Sequence, residues 1–149
     1  MNDIKLAEFT DFDAVVNVFK SQKKLFPHIR LDYITRMIVD SKCVFEDGVV
    51  IMFNRYKRNN PIGDVLAQKG TYTIKQIVNS NPGNGAAERV MKKFMDHVGV
   101  DIFLSVRADN TRAIRFYERN NFEKIGSIAW KQGTILGCVF LRKGEKCLI

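Results

Sequence analysis

Apolar positions along the chain switch between a period near four and a period of two, and the switches mark the elements. Residues 4–8 read as a short first strand. Thr10-Asp11 then offers an N-cap, and Phe12, Val15, Val16 and Phe19 follow the i, i+3, i+4, i+7 spacing of a one-sided helix. Residues 25–30 break that pattern, because Phe26 precedes a proline and is pushed out of helical angles. Leu31, Ile34 and Ile38 mark a second short helix. Residues 43–46 and 49–56 flank Asp47-Gly48, a strong short-range hairpin signal. Residues 57–70 carry Asn59-Asn60-Pro61 and two glycines and read as mostly loop.

Residues 71–79 alternate as a strand until Ile77 and Val78, both apolar, break the period of two. Burial on both faces and a β-bulge near Gln76 or Ile77 are both consistent with that break. A Gly-rich turn, Asn81-Pro82-Gly83-Asn84-Gly85, leads into a helix over residues 86–98. Ala87, Val90, Met91, Phe94, Met95 and Val98 form its apolar face. Residues 102–106 read as a buried strand, which makes a βαβ crossover with parallel strands. A last helix places Ala113, Phe116 and Tyr117 on one face and ends at Asn120-Asn121. Residues 122–130 and 134–142 form a second hairpin around Lys131-Gln132-Gly133, and residues 144–149 read as a loose tail. The expectation is one domain spanning residues 1–149.

The strand, Gly-rich turn and helix start make a place to hold a phosphate. Backbone N–H groups in the first helical turn lack helical partners, and the helix dipole favours an anion there.

The formal charge of +8 sharpens this picture. It fits a solvated basic surface, or an anionic ligand or partner such as a phosphorylated cofactor or nucleic acid. Cys43, Cys138 and Cys147 lack metal-ligand spacing, and His28 and His97 make no ligand pair, so no metal is expected. The start of the chain lacks a signal-peptide core, and the longest apolar run, residues 49–53, is far too short to span a bilayer. The expected compartment is the cytoplasm, with no membrane partner.

Two motifs resemble the GCN5-related N-acetyltransferase (GNAT) superfamily. Pro82-Gly83-Asn84-Gly85-Ala86-Ala87 is similar to its phosphate signature, with Pro82 where Gln or Arg is usual. Asn110-Thr111-Arg112-Ala113-Ile114-Arg115-Phe116-Tyr117-Glu118, then Asn121-Phe122, is similar to its second signature, with Asn121 in place of glycine. The resemblance implies an α/β (α+β) fold. Its central sheet would be mixed and mostly antiparallel, of about six to seven strands with about four helices, the parallel fourth and fifth strands splayed at the cofactor site. It implies acetyl-CoA or CoA as co-substrate. The backbone of Ile77, Val78 and Asn79 would bond the pantetheine arm, and Gly83, Asn84, Gly85, Ala86 and Ala87 would hold the pyrophosphate. Asn110 and Tyr117 would face the thiol end, and Ala113 and Phe116 would also bind the cofactor.

The implied reaction is direct attack of a primary amine on the thioester, with Tyr117 as general acid. The base is open between His28, Glu46 and a water chain to solvent, because Gln76 stands where relatives carry a base and an amide takes no proton. Arg30 and Trp130 are candidates for the acceptor, as a carboxylate or phosphate partner and a stacking surface. A packed aromatic, a turn-flanking charge or a solvated side chain is the structural alternative for each. The acceptor is open between a small-molecule amine, a peptide or protein amine and a nucleobase, and many relatives form homodimers. A nucleic-acid-associated protein on this fold and a non-catalytic CoA-binding protein are the alternatives.

Overall fold

The computed structural model describes residues 3–145. The elements are α1 (Phe12–Ser21), α2 (Leu31–Val39), β1 (Cys43–Glu46), β2 (Val49–Arg55), β3 (Asn60–Ile62), β4 (Val65–Ala67), β5 (Tyr72–Asn79), α3 (Ala86–Val98), β6 (Ile102–Arg107), α4 (Thr111–Arg119), β7 (Glu123–Trp130) and β8 (Ile135–Arg142). Six strands form one sheet in the order β1-β2-β5-β6-β8-β7, and β3 and β4 form a second, two-stranded sheet. The main sheet is mostly antiparallel. β5 and β6 are its parallel pair, in register at Tyr72↔Ile102 and Thr73↔Phe103. Two compact units divide the described chain: one runs to Phe53 and resumes over Lys75–His97, and the other holds Asn54–Ile74 and the residues from Val98 onward.

In the first unit, Val15, Val16, Val18 and Phe19 of α1 meet Ile34, Met37 and Ile38 of α2 in a core that also takes in Cys43, Val50, Met52 and Val78. Fully burying one such side chain contributes about 1.5–3 kcal/mol. The α1 face is as the spacing predicts. Its N-terminus differs: Asp11 makes no side-chain cap for α1, and its carboxylate instead accepts the Glu8 N–H at 2.9 Å, closing a 3-10 turn over Phe9–Asp11. Leu31 is exposed, because the buried face of α2 is set by Ile34, Met37 and Ile38 with Tyr33 beside them. The expected strand over residues 4–8 shrinks to a single bridge, Leu6↔Val44. Asp47 (φ +52) and Gly48 (φ +73) turn the β1–β2 hairpin as the Asp-Gly signal requires. Phe94 of α3 is fully buried and lies 5.0 Å from the Phe53 ring. The helix seats Ala86, not Ala87, at its buried first turn.

In the second unit, the loop expected over residues 57–70 contains the β3–β4 hairpin, paired from Asn60↔Ala67 to Ile62↔Val65. Ile62 and Ala67 are buried with Phe103 and Val139, and Tyr56, Val65, Ile128 and Leu141 pack around them. Pro61 sits in this short strand, which hides it from a reading based on strand propensity. The turn docks on β7: Asp64 N donates to Ser127 O at 3.1 Å, and Ser127 N donates to Asp64 Oδ1 at 2.8 Å. A Cβ on Gly63 would collide with Ser127 O, and one on Gly126 would collide with Asp64 Oδ1. The β7–β8 hairpin turns at Lys131, Gln132 and Gly133, all at positive φ. Gly144 is no loose tail: its N–H bonds Asp101 Oδ1 at 2.8 Å, and a Cβ there would strike the Val100 backbone. The rest of that expected tail, residues 146–149 with Cys147, lies outside the described residues.

Candidate functional site

The turn expected to hold a phosphate is assembled within the first unit by asparagine side chains. At the exit of β5, Ser80 N donates to Gly48 O at 3.0 Å, so the β1–β2 turn holds the chain where it leaves the sheet. Asn79 Oδ1 accepts the Asn81 N–H, and Asn79 Nδ2 donates to Asn84 Oδ1, each at 3.0 Å. Asn84 Oδ1 also accepts the Ala86 N–H at 3.0 Å and so caps the start of α3. Gly83 (φ +88) and Gly85 (φ +79) take backbone angles that side chains resist, which folds the turn back toward the helix axis. A Cβ on Gly83 would meet nothing within 4 Å, so the space above it is open. Residues 81–84, with Pro82, are exposed at this helix N-terminus. Ile77 and Asn79 are half-buried and Val78 is buried at the end of β5.

The other expected cofactor-binding residues gather on α4 in the second unit. Asn110 caps that helix, its Oδ1 accepting the Ala113 N–H at 3.2 Å. Ala113, Phe116 and Tyr117 share its inward face and are half-buried. The Tyr117 ring lies 5.7 Å from Phe116, 5.7 Å from Phe122 and 6.5 Å from Phe140. Burial among these rings pushes its phenol up to about 12. Among the described residues its hydroxyl makes no hydrogen bond. A packed ring with an unengaged hydroxyl suits a proton donor. Asn121 (φ +68) does glycine's work at the end of α4, where Phe122 N returns to Tyr117 O at 3.0 Å.

The remaining candidates are placed as follows. Glu46 is ion-paired: Lys93 Nζ donates to its Oε2 at 2.6 Å, with the two side chains 34% and 18% exposed. His28 is exposed in the α1–α2 connection. Arg30, also exposed, is engaged by Asp32 at 3.0 Å, and that hydrogen bond raises the guanidinium and lowers the carboxyl. Trp130 packs against Gly137 of β8, where a Cβ would collide with its ring. Sequence reasoning missed two partners. Tyr33 Oη donates to Gln76 Oε1 at 3.0 Å; its place beside Ile34 and Met37 on one helical face was a legible signal. Lys93, the partner of Glu46, carries no such signal, because the pairing is fixed only by tertiary structure.

No protein-family model matches the chain. No curated protein matches it either. Solved structures do. The ribosomal-protein-S18-alanine N-acetyltransferase of Escherichia coli superposes with a TM-score of 0.64 at 16% identity, covering 99% of each chain. Arabidopsis thaliana NAA60 in complex with acetyl-CoA superposes at 0.68 with 14% identity, covering 95% of this chain and 98% of that one. A GNAT-family acetyltransferase of Streptococcus agalactiae superposes at 0.70 with 15% identity, covering 97% and 96%. The chain therefore has the GNAT fold, over nearly its whole length.

Proposed function

We propose that this chain is an acetyl-CoA-dependent N-acetyltransferase, one N-acetyltransferase-like domain acting in the cytoplasm on a primary amine. The observation that carries this reading is the turn at residues 81–85, which opens two positive-φ glycines at the N-terminus of a 13-residue helix. That arrangement fits a pyrophosphate: the helix end favours negative charge, and glycine permits close backbone approach. Asn84 takes the Ala86 N–H, so the anion contacts fall to the N–H groups of Gly83, Asn84, Gly85 and Ala87. Pro82 offers no N–H, and its exposed ring stands where a polar contact is usual in the superfamily. The complex of NAA60 with acetyl-CoA supports the cofactor for this fold.

Bound acetyl-CoA supplies a thioester carbon open to an unprotonated amine. The residues of this chain supply the rest. The ends of Ile77, Val78 and Asn79 orient the arm as an added strand. Tyr117 keeps a proton on its oxygen for the sulfur that leaves, and a phenol held near 12 stays protonated throughout the physiological range. The ammonium proton of the acceptor passes to solvent or to the exposed His28, because Glu46 is engaged by Lys93 and Gln76 takes no proton. The name of the E. coli neighbour, which specifies a protein alanine, favours a peptide or protein amine acceptor. A CoA-binding protein without catalysis is the second reading, favoured by that engaged Glu46.

Titration of the folded chain with acetyl-CoA, CoA, ATP and NAD, followed by thermal unfolding, tests the first claim. A ligand at about a hundred times its dissociation constant stabilises by about 2.7 kcal/mol. Stabilisation by acetyl-CoA and CoA alone, with thiol release on adding N-terminal peptides or small amines, is the expected result. No stabilisation by either nucleotide thioester or thiol overturns the cofactor; stabilisation without transfer to any amine selects the second reading.

A further inference from the structure

The excess positive charge is unevenly divided. Among the described residues the first unit holds eleven Lys and Arg against ten Asp and Glu, and the second holds twelve against six. Half of those twelve converge on one end of the sheet. Arg55 ends β2, and Lys57 and Arg58 follow it. Tyr56 N donates to Thr71 O at 2.9 Å, Gly70 N donates to Tyr56 O at 2.8 Å, and Lys69 N donates to Asn59 Oδ1 at 2.8 Å. These bonds bring Lys69 to the same end as Lys57 and Arg58. From there Tyr72 pairs with Ile102, and Ile102 pairs with Arg142, next to Lys143. The β2, β5, β6 and β8 termini therefore line up, and three strand spacings set the row at about 14 Å across.

Five of the six cations are exposed and Arg142 is half-buried, and none makes an ion pair among the described residues. Three carboxylates share this end: Asp101, whose Oδ1 is taken by Gly144 N, Glu123, which opens β7 opposite Leu141, and Glu145. Elsewhere in the second unit Arg107 is paired with Asp109 at 3.2 Å at the opposite end of β6, and Lys131 lies in the β7–β8 turn, away from this end. At the basic end Tyr56 is packed into the apolar cluster and Tyr72 is half-buried, so no aromatic face is offered to a stacked base.

We propose that this end of the sheet docks a nucleic-acid double helix through its phosphates. A row of unpaired cations about 14 Å across matches the two backbones that flank a groove about 12 Å wide. The lack of stacking aromatics disfavours a single strand, whose usual grip is base on ring. The proposal does not depend on acetyl transfer.

Fluorescence anisotropy with a labelled mixed-sequence duplex of about 20 base pairs tests it over a salt series, six phosphate contacts giving a log–log slope of about −5 and roughly a thousandfold loss between about 50 and 200 mM salt. The variant Lys57→Gln/Arg58→Gln/Lys69→Gln should bind at least about tenfold more weakly and flatten the slope by about 0.9 per cation removed. Lys20→Gln/Lys23→Gln/Lys24→Gln removes the same charge from the first unit and should leave both quantities near the parent values. Thermal melts confirm folding, and Lys57→Gln and Lys69→Gln singly replace the triple variant if it melts early. An A-form RNA duplex, whose major groove is narrow, should bind more weakly than DNA, and RNA binding as tightly as DNA overturns the groove match. Equal losses in the two triple variants, no binding at low salt, or equal affinity for polyglutamate or phosphatidylserine vesicles overturns it.

Discussion

Tyr33 Oη donates a hydrogen bond of 3.0 Å to Gln76 Oε1, joining α2 to β5 inside the first unit. Burial raises the Tyr33 phenol. The pair holds the amide with its oxygen committed, at the position where the superfamily resemblance implies a base. Tyr33→Phe should destabilise the fold by about 0.5–1.5 kcal/mol, read as a lower midpoint in urea. Gln76→Glu supplies a carboxylate at that position. It should raise kcat at neutral pH and add an acidic limb to the pH profile; an unchanged profile would rule out a basic role for this position.

Tyr117→Phe keeps the three ring contacts and removes the proton. Its kcat should fall by about 10²–10⁴ while KM for acetyl-CoA and the melting temperature change little. Because the folded phenol titrates above its unfolded value near 10, the native state holds this proton longer than the unfolded chain. The stabilisation linked to it is complete below about pH 10 and is lost as pH rises toward about 12. The alkaline limb of activity should accordingly lie above pH 10.

Gly83 and Gly85 separate backbone strain from crowding. Alanine at Gly83 meets open space, so only its positive φ opposes the change; alanine at Gly85 also comes within 3.3 Å of Arg89 Nη1. Each substitution should cost about 1–2 kcal/mol of stability, with Gly85→Ala the larger. Both should weaken CoA binding measured by calorimetry, and CoA affinity equal to the parent's would remove the turn from the cofactor site.

Cys43 is fully buried, and burial pushes its thiol up to about 12. Alkylation by iodoacetamide at pH 8, followed residue by residue with mass spectrometry, should leave Cys43 unmodified in the native protein and label it in denaturant. Rapid native labelling would mean that the α1–α2 layer above it opens readily.

The elements legible in the sequence are those whose signals are local. Asp47-Gly48 carries its own turn geometry, and Val90, Met91, Phe94, Met95 and Val98 write the buried face of α3 at helical spacing. The turn at residues 81–85 was legible for the same reason, since glycines mark positive φ. Ile62-Gly63-Asp64-Val65 was also a hairpin signal, overlooked because Pro61 stands beside it. What escaped depends on partners distant in sequence. Lys93 meets Glu46 across 47 positions, and Tyr33 meets Gln76 across 43. No periodicity encodes such pairs. Asp11 and Leu31 show the other limit: the residue types suited a cap and a core face, but the 3-10 turn and the Ile34–Met37–Ile38 face decided their use.

The clasp between Asp64 and Ser127 bears on self-assembly. β7 is the last strand of its sheet, and its outward backbone groups would otherwise be a template for another strand. At Ser127 both of those groups are already satisfied by the β3–β4 turn. Gly63 and Gly126 let the two backbones approach closely enough for this. A chain with this clasp discourages growth into ribbons at that margin, and any homodimer it forms has reason to use a different face.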